Sequence, residues 1–181
     1  MMYAAPKDTT HRTKLSCQNN QQGLRLRNAR EGNMTNSNFT YNDGGREAAG
    51  YKGKAGDCVC RAIAIAADLP YQQVYDRLAE GNATQRASSR TAKRSRSARN
   101  GIYTTRKWFK DYMLELGFVW TATMQIGSGC NTHLKADELP SGRLVCNVSR
   151  HAVAVIDGVI HDTYDCSRGG KRCVYGYWRL P

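Results

Sequence analysis

Acidic residues are scarce in this chain, and long apolar runs are missing. Fifteen Asp and Glu stand against 27 Lys and Arg among 181 residues, a formal charge of +12. No run approaches the roughly 18 apolar residues that a membrane-spanning helix needs, so no helical membrane anchor is expected. Residues 1–37 also lack the apolar stretch of a secretory signal. The seven cysteines are odd in number and show no repeating spacing. That pattern does not describe a disulfide framework, and free thiols in a reducing cytoplasm are the expectation. Structural zinc calls for paired ligands at short, regular spacing. Cys58 and Cys60 are too close on a helix, and Cys166 and Cys173 have no partner pair, so neither metal nor cofactor is expected.

The positive charge is local. Between 81 and 110 lie Arg86, Arg90, Lys93, Arg94, Arg96, Arg99, Arg106, Lys107 and Lys110, with no acid among them. The segment 81–100 is dominated by Arg, Ser, Ala and Thr, has no apolar face, and is expected to be an exposed basic loop. Such runs are commonly only solvated. With Tyr103 and Trp108 close by, however, Arg86, Arg90, Lys93, Arg94, Arg96 and Arg99 form a fair footprint for a nucleic-acid backbone, bound unspecifically and with strong salt dependence. An acidic protein partner would satisfy them equally. Residues 1–37 are polar and turn-rich and are expected to form a flexible arm, which leaves 38–181 as a single domain.

Within that domain the pattern changes from helical to extended. Residues 39–41 suit a short strand. A mostly apolar helix over 58–68 follows Asp57, a good N-cap. Pro70 opens a second helix to about Glu80. A third covers 104–116, capped by Thr104 or Thr105 and stopped at Gly117. Extended runs follow at 118–123, 143–148, 151–156, 159–164 and 173–178, with Asp157-Gly158 a strong two-residue hairpin turn. Helices first and strands last predict an α+β domain, with helices packed on a C-terminal antiparallel sheet.

The hairpin register follows on paper. Ile156 opposes Val159, Val155 opposes Ile160, Val153 opposes Asp162 and His151 opposes Tyr164, so His151, Val153, Val155, Ile160, Asp162 and Tyr164 share one face. His161, Thr163 and Asp165 fall on the other. Burying a histidine and an acid beside three aliphatic residues is costly without a partner. Cys58 at the positive start of the first helix supplies one, since a thiol there is biased toward the thiolate. In this arrangement Cys58 is the nucleophile, His151 the base and Asp162 the group that fixes the imidazole tautomer, with the Cys58 backbone N–H as an oxyanion donor. Cys60 is a rival nucleophile, and Asp165 would replace Asp162 if the register slipped by one residue.

The order Cys at a helix start, His opening a strand and Asp on the next strand resembles the papain-like cysteine peptidases, notably compact bacterial members such as the bacteriocin-leader peptidases of peptide exporters. Gly-Asp-Cys-Val-Cys-Arg-Ala-Ile-Ala from Gly56 and His-Ala-Val-Ala-Val-Ile-Asp-Gly-Val-Ile-His-Asp-Thr from His151 are also similar to blocks in small phage and bacterial proteins of that fold. The resemblance spans about 50–179. It implies a papain-like fold with its nucleophile at a helix N-terminus, a protein or peptide substrate, and a Cys58–His151–Asp162 triad. The activity implied is that of a thiol hydrolase or acyltransferase on an amide, isopeptide or thioester bond, or a deamidase acting on glutamine. The family's second oxyanion donor is a Gln a few residues before the nucleophile. Here Lys52 stands six before Cys58, and no Gln lies between Phe39 and Cys58.

Overall fold

A computed structural model describes residues 38–85 and 96–181. They form three helices and six strands: β1 (Phe39–Tyr41), α1 (Cys58–Ala67), α2 (Tyr71–Ala83), α3 (Lys107–Glu115), β2 (Val119–Ala122), β3 (Arg143–Val148), β4 (His151–Ile156), β5 (Val159–Asp162) and β6 (Val174–Leu180). The class is α+β. The strands make one sheet in the order β1-β5-β4-β3-β6-β2. It is mixed, because β1 runs parallel to β5 while every other neighbouring pair is antiparallel. The expectation of a C-terminal antiparallel sheet is corrected on that point: β1, from before the helices, and β2, directly after α3, form its two edges.

The hairpin register is as read from the sequence. Ile156 opposes Val159 and Val155 opposes Ile160, and the ladder continues to Ala154 opposite His161. Asp157 and Gly158 carry φ of 48° and 80°, the left-handed pair that a tight hairpin turn requires. β5 ends at Asp162 rather than 164, since the Asp162 carboxylate accepts the Thr163 backbone N–H and turns the chain away from the ladder.

The face on which α1 packs is the second correction. α1 lies against Val145, Ala152, Ala154 and Trp178, not against the Val153, Val155 and Ile160 side. Those three residues belong to a second core on the opposite face, with Leu144, Cys146, Val148, Val174, Leu134 and Cys166. The inner residues of β4 are buried on both faces, so hydrophobic alternation could not tell one side from the other. Two alanines also let a helix backbone come closer than two valines would.

Boundaries moved where packing overrode local signals. α2 runs through Gly81 to Ala83, and a Cβ at Gly81 would lie 2.3 Å from the Trp108 ring. That glycine makes room for a neighbouring indole and does not break the helix. The third helix begins at Lys107 with Arg106 at the N-cap position, and neither Thr104 nor Thr105 caps it. Gly117 does end it, at φ 86°. Cys130 and Cys173 form a disulfide with Cα atoms 5.8 Å apart, which corrects the expectation that all thiols are free. His133 bridges to Cys173, and backbone bonds from Leu134 to Arg172 and from Val174 to Thr132 hold the two segments side by side.

Candidate active site

α1 begins at Cys58, and its first turn separates two thiols. Cys60 points into the core, where it is fully buried and donates to the Tyr71 carbonyl at 3.8 Å. Burial pushes its pKa up to about 12, so this rival nucleophile is held protonated. Cys58 is half-buried and lines a cleft of about 1360 Å³ together with His151, Ala152, Asn147, Tyr51, Trp120 and Tyr164. Burial works against its thiolate. The His151 imidazole, through hydrogen bonding and charge, outweighs it with help from the Ala152 backbone and Arg61, and the thiol falls below its ordinary pKa.

His151 and Asp162 meet at the end of the sheet where α1 starts. His151 is the first residue of β4, directly after Arg150 in a left-handed turn, and Asp162 is the last of β5. Their terminal positions let both reach α1 although the rest of their face belongs to the other core. His151 Nε2 lies 2.5 Å from Asp162 Oδ2. Burial disfavours the imidazolium, but Asp162, Cys166 and Cys58 together raise the His151 pKa well above its ordinary value. Burial likewise disfavours the Asp162 carboxylate, and His151, the Thr163 N–H and Arg61 together hold its pKa below the ordinary range. The Tyr164 ring stands 5.5 Å from the His151 ring, although Tyr164 lies beyond the end of β5 and the expected ladder pairing of the two residues is not formed. Asp165 is not part of this group; its carboxylate accepts the Ser167 backbone N–H.

The Asp57 side chain does not cap α1. It is buried and accepts from Arg46 Nε at 2.7 Å, Arg61 Nη1 at 2.5 Å and Tyr71 Oη at 2.6 Å. Arg61 Nη2 in turn lies 3.4 Å from Asp162 Oδ1. Sequence reasoning missed Arg46, Arg61 and Tyr71, although one signal was present. Arg61 is the lone charged residue of an otherwise apolar helix, and a charge in that position demands a partner.

The cysteine combinations weighed for a metal do not assemble, with Cys60 in the core and Cys173 in the disulfide. Among the described residues, the side chains that do converge are His151, Asp162 and Cys166, whose ligand atoms lie within 4.8 Å of one another. A cation there would have to displace the His151–Asp162 hydrogen bond. The expected basic loop is described only in part: Arg86, Arg90, Lys93 and Arg94 lie outside the described residues. Arg96 and Arg99 are exposed, and Arg99 donates to the Lys54 carbonyl at 3.1 Å, beside the cleft. No helix among the described residues is long and apolar enough to cross a membrane. No family model, curated protein or solved structure matches the chain.

Proposed function

We propose that the protein is a thiol-dependent hydrolase or acyltransferase of papain-like type, acting on an amide, isopeptide or thioester carbonyl through Cys58, His151 and Asp162. The observation that carries this reading is the position of His151, held by Asp162 on one side and acting on the cleft-facing thiol at the start of α1 on the other. With Nε2 engaged by Asp162, Nδ1 is the ring nitrogen left to take the thiol proton. The Cys58 sulfur then forms a bond to the carbonyl carbon, and the oxyanion is held by the Cys58 backbone N–H. Collapse breaks the bond to the leaving group, which receives the proton from His151. In the second half His151 takes a proton from water, or from an acceptor nucleophile, and the thioester is cleaved. Where the family has a glutamine this chain has Lys52. Asn147, whose side chain makes no hydrogen bond among the described residues, lies in the cleft wall and offers a second amide donor.

The test is the alkylation rate of each cysteine, read by mass spectrometry from about pH 5 to about pH 9 in the parent and in His151→Ala. Rapid labelling of Cys58 near pH 6 that disappears without His151 supports the pair. Labelling no faster than at an ordinary thiol removes the catalytic reading.

A second reading has its own support. Exposed Arg96 and Arg99 and cleft-lining Lys52, Lys54 and Arg150 favour an anionic partner, nucleic acid or acidic protein, held beside a weakened site. Charge reversal at Arg96 and Arg99 would abolish that binding and spare thiol chemistry, whereas Cys58→Ala would do the reverse.

A further inference from the structure

We infer that Arg61 is a positioning residue for Asp162, and that Asp57, secured by Arg46 and Tyr71, fixes Arg61 in that role. This rests on the thiol chemistry proposed above.

Arg61 is a charge in an apolar place. The other buried residues of α1 are Val59, Cys60, Ala62, Ile63, Ala64, Ile65 and Ala66, yet Arg61 among them is only 9% exposed. Its guanidinium is divided between two carboxylates from distant parts of the chain, Nη1 on Asp57 and Nη2 on Asp162. Asp57 is anchored independently. Its other oxygen takes Arg46 and Tyr71, and Arg46 is itself fixed by the Tyr51 carbonyl at 3.0 Å and the Lys52 carbonyl at 3.2 Å. Asp162 divides its oxygens by role: Oδ2 serves His151, while Oδ1 takes the Thr163 N–H and Arg61. From Arg46 through Asp57, Arg61, Asp162 and His151 to Cys58, charges of opposite sign therefore alternate along one connected path.

A planar fork suits this task, because it spans two carboxylates at once and fixes both. With Arg61 in place, Asp162 cannot rotate Oδ2 away from His151 without breaking the Arg61 contact. Asp57 has no contact with His151 in this network and acts only by holding the guanidinium at an angle that reaches Asp162.

The experiment is the pH profile of Cys58 alkylation by iodoacetamide in full-length protein, for parent, His151→Ala, Arg61→Met, Arg61→Lys and Asp57→Asn. The parent and His151→Ala profiles test the thiol reading by themselves. If Cys58 shows no His151-dependent advantage, that reading fails before the variants are compared. If it does, Arg61→Met is expected to move the Cys58 profile up by about one pH unit, a tenfold loss of rate near pH 6. Arg61→Lys, which keeps the charge but not the fork, should recover part of this.

Asp57→Asn decides between positioning and simple through-space charge. Removing a negative charge near a thiol lowers its pKa by electrostatics alone, whereas loosening the hold on Arg61 raises it. An upward shift in Asp57→Asn supports positioning. A downward or absent shift overturns it, as does an Arg61→Met variant that melts earlier with an unchanged profile. If Arg61→Met does not fold, the Arg61→Lys and Asp57→Asn profiles carry the same decision.

Discussion

The cleft side and the core side of α1 begin within two residues of each other and impose opposite chemistry on the same functional group. On the core side, Cys60 is enclosed by apolar residues and its thiol is pushed up to about 12. On the cleft side, burial also works against the half-buried Cys58 thiolate, yet its pKa is lowered, because an imidazole, a backbone N–H and a guanidinium face it. Burial is common to both and does not decide the outcome. What differs is whether polar groups were brought in together with the thiol.

Deletion of each thiol separates the two sides most sharply. Cys58→Ala is expected to abolish iodoacetamide labelling in the cleft and any acyl transfer, a loss of about 100-fold or more in turnover. Cys60→Ala should leave both intact and cost about 1 kcal/mol of stability, read from a urea midpoint. Next in size is the disulfide, whose cysteines are not among the residues that line the cleft. Cys173→Ser should lower stability by about 2–4 kcal/mol for a loop closed across 43 residues. The Cys58 pH profile should not move, which would show that the crosslink stabilises the fold without acting on the thiol.

On α2, Gly81→Ala drives a methyl into the Trp108 ring and should cost about 1–3 kcal/mol, visible as an earlier thermal midpoint. The smallest effect is the pH dependence of stability. Asp162 is held below its ordinary pKa, so its contribution is complete above about pH 4 and is lost as pH falls through the depressed value. His151 is raised, so its contribution is complete below about pH 6.5 and is lost only as pH rises through the elevated value. Asp162→Asn should therefore flatten the acid limb of urea midpoint against pH, by on the order of 1 kcal/mol.

Much of this arrangement was legible in the sequence because it depends on local rules. Asp157-Gly158 set the hairpin turn, the turn set the register, and the register placed Asp162 within reach of His151. The first residue of α1 was legible for the same reason. Long-range choices were not. Alternation in β4 could not say which face receives a helix, since both are covered. Asp57 has the composition of a cap, but Arg46, Arg61 and Tyr71 compete for its oxygens and win, and two of those three lie more than ten residues away. The Cys130–Cys173 pairing depends on where a turn-rich segment returns to β6, which spacing does not encode. The parallel pairing of β1 with β5 depends on a crossover through the whole domain.

The chain separates the parts of its site in time as well as in space. Asp57, Cys58 and Arg61 lie within five consecutive residues and come together as soon as α1 forms. His151 and Asp162 arrive about ninety to a hundred residues later, on a hairpin that must dock before either can act on the thiol. Until then Cys58 is an ordinary cysteine. On the function proposed above, reactivity near neutral pH would appear only when helix and hairpin have met, so that a nascent or unfolded chain would carry no activated nucleophile.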